Sequence, residues 1–112
     1  SKKSLIDSAK DYVHRNYRSV DLGLDDTCKE LGVSNSYFSS LFKKETGSSF
    51  VEYLTDYRMD KAARMLVETD DKSYVIAQNV GYADPNYFSY VFKRKYGVSP
   101  SRYRTEYEKN KV

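Results

Sequence analysis

The side chains able to do chemistry assemble no reaction centre. The carboxylates are scattered at no recognisable catalytic spacing, and no glycine-rich phosphate loop is present. The single cysteine, Cys28, forms no internal disulfide, and together with the single histidine, His14, it cannot supply a zinc site. No enzyme activity, metal or cofactor is therefore expected. What the sequence repeats is a set of short hydrogen-bonding side chains followed by cations. Ser36, Ser39, Ser40 and Lys43 stand at i, i+3, i+4 and i+7, and Asn86, Ser89, Tyr90 and Lys93 repeat the spacing. Those intervals put each set on one face of a helix. Hydrogen-bonding groups on such a face suit base edges in a groove, and the basic ends Lys43-Lys44 and Lys93-Arg94-Lys95 suit phosphates.

The elements that position these faces are themselves repeated. Tyr37-Phe38-Ser39 recurs fifty positions later as Tyr87-Phe88-Ser89, and Phe42-Lys43, Gly47, Ser49 and Tyr53 match Phe92-Lys93, Gly97, Ser99 and Tyr103. Upstream the offset is 49: Gly32 matches Gly81, while Cys28 and Leu31 correspond to Ala77 and Val80. One extra residue has entered the second copy between Gly81 and Tyr87. Leu5, Ile6, Ala9, Tyr12 and Val13 form a helical stripe at the N-terminal end. A short helix is expected from Leu24 to Leu31, stopped by Gly32. The next starts after Ser34, buries Phe38, Leu41 and Phe42, and stops at Gly47. Ser49 and Glu52 form a capping box for a longer helix, Phe50 to about Val67, with Val51, Leu54, Ala62, Met65 and Leu66 on its apolar side. The second copy gives helices over Tyr74 to Val80 and Pro85 to Tyr96, the latter capped by Asp84 and burying Phe88, Val91 and Phe92. Ser99-Pro100 opens a last helix through about Tyr107. No segment alternates with period two. The expected fold is all-α, with about seven helices and two helix-turn-helix subdomains (residues 1–49 and 69–112) joined by a linker helix (50–68).

Two short helices crossing through a tight turn need a small residue at the crossing and a glycine at the turn. Cys28 and Gly32 supply both, and Ala77 and Gly81 supply them again. One such pattern is weak evidence; two in register are strong.

Length and charge agree with this reading. A chain of 112 residues, 39% hydrophobic and 31% charged, suits a small soluble globular unit with one core or two small ones. Its apolar runs are too short to cross a bilayer, and its opening residues lack a signal-peptide core, so a cytoplasmic location is expected. The net charge of +3 is unevenly placed: residues 73–112 hold seven Lys/Arg and three Asp/Glu, and the rest hold twelve and thirteen. Residues 48–72, with four basic and six acidic side chains, do not suit a path along phosphates.

The stretch from Gly32 through Tyr37-Phe38-Ser39 and Phe42-Lys43 to Gly47 resembles the first helix-turn-helix of the AraC/XylS family of transcription regulators. Ile76-Ala77, Val80-Gly81-Tyr82, Asp84-Pro85-Asn86-Tyr87-Phe88-Ser89, Phe92-Lys93, Gly97-Val98-Ser99-Pro100 and Tyr103-Arg104 resemble the family's more diagnostic second half. The likeness covers nearly the whole chain, from Leu5 to Arg104. It implies double-stranded DNA as partner, recognition helices in successive major grooves, a monomeric isolated domain, and RNA polymerase as a partner of the full-length regulator. It also implies a missing sensor or receiver domain, with Asp84-Pro85-Asn86-Tyr87-Phe88 leaning towards two-component regulators. Thr27-Cys28 departs from the commoner aliphatic–alanine pair, and Ser73 and Val75 exchange the family's usual polarity.

Asn35, Ser36, Ser39, Ser40, Asn86, Ser89 and Tyr90 are thus the expected base-contacting residues. Lys43, Lys44, Lys93 and Arg94 are expected at phosphates, together with Tyr37 and Tyr87, for which packing is the competing role. Tyr12, Tyr53, Tyr57 and Tyr103 stand at core-like spacings, Cys28 suits packing, and His14 suits a surface or boundary position. Arg58 falls near the linker's apolar stripe, where an internal ion pair with a carboxylate is favoured over phosphate contact. The rival reading, a helical protein-interaction module, accounts for helices and tyrosines but not for two equivalent polar-basic stripes.

Overall fold

Each helix begins and ends where local chemistry dictates. The computed structural model describes residues 1–111; Val112, the last residue of the expected segment 69–112, lies outside the described residues. Seven helices and no strand occur among the described residues: α1 (Lys2–Asn16), α2 (Leu24–Leu31), α3 (Asn35–Thr46), α4 (Phe50–Glu68), α5 (Ser73–Asn79), α6 (Pro85–Tyr96) and α7 (Pro100–Asn110). Ser34 Oγ accepts from the Tyr37 amide, Ser49 Oγ from that of Glu52, and Ser99 Oγ from that of Arg102. Asp84 accepts from the Asn86 amide at 2.9 Å, with Pro85 at the first position of α6, where its missing N–H does no harm. Gly47 and Gly97 end α3 and α6 in the left-handed conformation, at φ 84° and 81°. The two turn glycines, Gly32 and Gly81, also have positive φ, 71° and 95°. The inserted residue of the second copy lies in this turn: two steps separate Gly32 from the cap Ser34, and three separate Gly81 from Asp84.

The chain divides into two compact units, Ser1–Tyr57 and the residues from Arg58 onward, and the division falls inside α4. In the first unit Ile6, Ala9 and Val13 of α1, Leu22, Cys28 of α2, and Phe38, Leu41 and Phe42 of α3 form one core with Phe50 and Leu54 from the start of α4. The Phe50 ring meets Phe38 and Phe42 edge-on at 5.4 and 5.5 Å. That contact corrects the expected face of α4. Phe50 turns inward, so Val51, about 100° further round the helix, is 60% exposed rather than buried. Thr27 is fully buried on α2, and its hydroxyl has no hydrogen-bond partner. Burial pushes the Cys28 thiol up, which suits packing and not reactivity. His14 is exposed, stacks on Tyr57 at 4.5 Å and shares a 2.7 Å hydrogen bond with the Tyr53 hydroxyl.

In the second unit Met59, Ala62, Ala63 and Leu66 of α4 are buried, as are Ile76, Ala77, Val80, Phe88, Phe92 and Pro100. Val91, expected in the buried stripe, is only half-buried. Arg58 is buried, as its place near the apolar stripe predicts, with its guanidinium 5.5 Å from the centre of the Tyr82 ring. Desolvation lowers its pKa, partly opposed by the Tyr82 hydroxyl. Arg104 of α7 donates to the carbonyls of Leu66, Thr69 and Asp71 at 2.7, 3.1 and 2.7 Å. These bonds satisfy acceptors that the end of α4 and the following loop would otherwise leave open. Among the described residues no helix is long and apolar enough to cross a membrane, and no cluster of His, Cys, Asp or Glu could hold a metal ion.

Candidate nucleic-acid interface

In the first unit α3 buries Phe38, Leu41 and Phe42 and leaves Ser36, Tyr37, Ser40, Lys43 and Lys44 exposed. Ser39 is half-buried, because its position on the wheel lies close to that of Phe42. Asn35, at the first position of α3, donates its amide to the Asp25 carboxylate at the start of α2. That bond ties the amide to the scaffold and sets Asn35 apart from Ser36 and Ser40. Tyr37 is 49% exposed, so its ring is no core residue. A shallow groove of about 340 Å³ runs along this face, lined by Ser36, Tyr37, Ser40, Leu41 and Lys44 and closed by Lys2 from α1. Lys2 is a cation that sequence reasoning missed. Nothing local in the sequence indicates that the beginning of α1 reaches the polar stripe of α3.

In the second unit α6 buries Phe88 and Phe92 and exposes Asn86, Tyr87, Tyr90, Lys93 and Arg94, with Ser89 half-buried. The exposed side chains touch one another. Tyr87 and Tyr90 stack at 6.3 Å with an interplanar angle of 27°, and Arg94 Nη1 donates to the Tyr90 hydroxyl at 3.1 Å. Lys95, the third cation of the basic run, behaves differently. Its ammonium donates to Asp60 of α4 at 2.7 Å, and the Tyr96 hydroxyl donates to the same carboxylate oxygen at 2.8 Å. Partial burial pushes the Asp60 carboxyl up, but the two donors and the ammonium charge outweigh it and hold it below the ordinary carboxylate value. Lys95 therefore fastens α6 to α4 within this unit, which leaves Lys93 and Arg94 as the cations facing outward.

Each unit thus presents a helix of twelve residues, one stripe packed and the opposite stripe hydrogen-bonding and cationic. Residues 27–106 match the family model described as a helix-turn-helix domain. The lactose operon transcription activator of Staphylococcus xylosus is 36% identical over 80 residues, which are 71% of this chain and 28% of that protein. The chain therefore spans under a third of that relative's length. The C-terminal domain of AraT, a response regulator from Geobacillus stearothermophilus, is 39% identical with a TM-score of 0.89, over 91% of this chain and 84% of that one. The C-terminal domain of the two-component response regulator yesN from Fusobacterium nucleatum is 36% identical with a TM-score of 0.86, over 88% and 95% of the two chains. The chain belongs to the helix-turn-helix family of AraC-type DNA-binding domains.

Proposed function

We propose that this domain binds duplex DNA sequence-selectively within a transcription regulator, placing α3 and α6 in successive major grooves and catalysing no reaction. The observation that carries the reading is the duplicated stripe. Ser36, Ser40, Lys43 and Lys44 on α3, and Asn86, Tyr90, Lys93 and Arg94 on α6, are exposed opposite paired buried phenylalanines. Base contacts fall to the middle of each stripe, with Ser39 and Ser89 at its edge and Asn35 at its margin. Phosphate contacts fall to Lys43, Lys44, Lys93 and Arg94, with Tyr37 and Tyr87 beside them. The similarity to an operon activator and to response-regulator C-terminal domains supports a regulator with a separate receiver or sensor segment. That regulator works in the cytoplasm and engages RNA polymerase, while the isolated domain binds as a monomer.

Two measurements test the proposal. Affinity for duplexes selected from a random pool should fall with salt, and five to seven phosphate contacts give a slope of about −5 to −6 in log K against log salt. The linker helix α4, nineteen residues long and rising about 1.5 Å per residue, reaches roughly 27 Å from its first residue to its last, comparable with the one-turn repeat of about 34 Å. Dimethyl-sulfate footprinting of one bound monomer should therefore show protection of guanine N7 in two successive major grooves. Salt-insensitive binding, preference for single strands, or protection of a single groove would overturn it.

A further inference from the structure

The two recognition helices differ most where the repeat aligns Ser40 with Tyr90. Tyr90 follows Phe88 by two positions and precedes Phe92 by two, so at about 100° per residue it points roughly 160° away from both buried rings. It stands at the centre of the exposed face and is 56% exposed. Its ring is nevertheless held. Tyr87 stacks against it, and Arg94 both donates to its hydroxyl and sets its guanidinium carbon 5.8 Å from the ring centre. Tyr87 is braced in turn by Tyr82, 6.1 Å away. With Arg94 donating to the hydroxyl, what the middle of α6 offers is a fixed aromatic ring flanked by two cations, Lys93 and Arg94. The equivalent centre of α3 is a single small hydroxyl, Ser40.

We propose that α6 reads the C5-methyl group of thymine by packing the Tyr90 ring against it, and that α3 has no such readout. The inference rests on the DNA-binding reading above and adds the chemistry of one contact. In the major groove thymine alone among the four bases presents a methyl group, and an apolar surface is its complement. The flanking cations suit the phosphates on either side of the groove, so the ring is delivered to base edges and not to a protein surface. Holding the ring in advance avoids ordering a long exposed side chain on binding. Burying one methyl group corresponds to about fourfold in affinity.

The test uses the full chain and a duplex selected from a random pool, with each thymine replaced in turn by deoxyuridine, which lacks only the methyl. One or two neighbouring replacements should weaken binding about fourfold each. Tyr90→Ala should bind the parent duplex more weakly and be indifferent to those same replacements, and Tyr90→Phe should keep the sensitivity. Both variants alter an exposed ring, and unchanged helical circular dichroism confirms that they fold. Absence of sequence-selective duplex binding would sink the DNA reading itself. Selective binding that ignores deoxyuridine at every thymine, a selected site without thymine, or a sensitivity that persists in Tyr90→Ala would sink the methyl contact and leave the DNA reading standing.

Discussion

Thr27 gives the sharpest test of the packing argument. It is fully buried on α2, and its Oγ1 has no hydrogen-bond partner, so folding removes a hydroxyl from water and returns nothing to it. Mutational data put that penalty at about 1–3 kcal/mol. Valine has nearly the same shape and replaces the hydroxyl with a methyl group that prefers burial. It is also a helix former comparable to threonine, so backbone preference barely changes. Allowing for some relaxation of the native site, Thr27→Val should stabilise the first unit by about 1 kcal/mol, or roughly 4–8 °C in its melting temperature. Thr27→Ser keeps the hydroxyl and deletes the methyl, and should lose about 1 kcal/mol. Urea unfolding followed by circular dichroism, with equal slopes for the three proteins, reads both changes. The opposite signs of the two variants are the signature. If Thr27→Val were no more stable than the parent, the hydroxyl would be bonded in solution and the reasoning would fail.

The other predictions concern the second unit and the interface. Arg104→Ala should destabilise by about 2–3 kcal/mol, because three carbonyls lose a charged donor; Arg104→Lys should recover less than half in urea unfolding, since an ammonium lacks the planar fork. Asp60→Asn should lower stability modestly near neutral pH, by under about 1 kcal/mol for so exposed a pair. The folded-state pKa of Asp60 lies below its unfolded value, so its contribution is present above about pH 4 and lost as pH falls through the folded pKa; the mutant's deficit should therefore shrink in acid melts. In band shifts, Asn86→Ala should cost about 1–3 kcal/mol on the preferred duplex and little on random DNA, whereas Lys93→Ala should weaken both alike and flatten the salt slope by about one. An equal loss on both duplexes for Asn86→Ala would mean that α6 is wrongly oriented.

Much of the fold was legible because its signals are local. Ser34, Ser49, Asp84 and Ser99 each cap the helix that follows, and Gly47 and Gly97 each end one, within a few residues of chain. The buried phenylalanine pairs follow from helical periodicity alone. Val51 failed because α4 serves two cores in succession, and no single stripe describes a helix whose neighbours change partway along. The fastening of Lys95 to Asp60 and the reach of Arg104 to residues 66–71 join positions more than thirty apart. Charge type alone gives no sign of such pairings. The position of Lys2 beside Ser36 and Ser40 was hidden for the same reason. The Tyr90–Arg94 contact, by contrast, spans one turn of a single helix and was within reach of the spacing rule.

The ion pair at Asp60 also extends the repeat further than sequence identity does. An offset of fifty carries Ala9 and Val13 of α1 onto Met59 and Ala63 of α4, all buried, so the later part of α4 does for the second unit what α1 does for the first. The same offset carries Lys10 onto Asp60 and Glu45 onto Lys95, with both signs exchanged. Lys10 and Glu45 line one groove in the first unit, while Asp60 and Lys95 bond directly in the second. Identity searches overlook such a correspondence, since no residue type is kept; what is kept is an opposite charge on the helix that supports each recognition helix. The consequence bears on DNA. Counted by sequence, α6 ends in three cations and α3 in two, yet Lys95 is held by Asp60 and position 45 is acidic. Each recognition helix is left with two outward cations, Lys43 and Lys44 or Lys93 and Arg94. On the proposed DNA reading, the surplus of positive charge in residues 73–112 overstates the phosphate contacts open to α6, and the two recognition helices themselves should contribute equally to the salt dependence of binding.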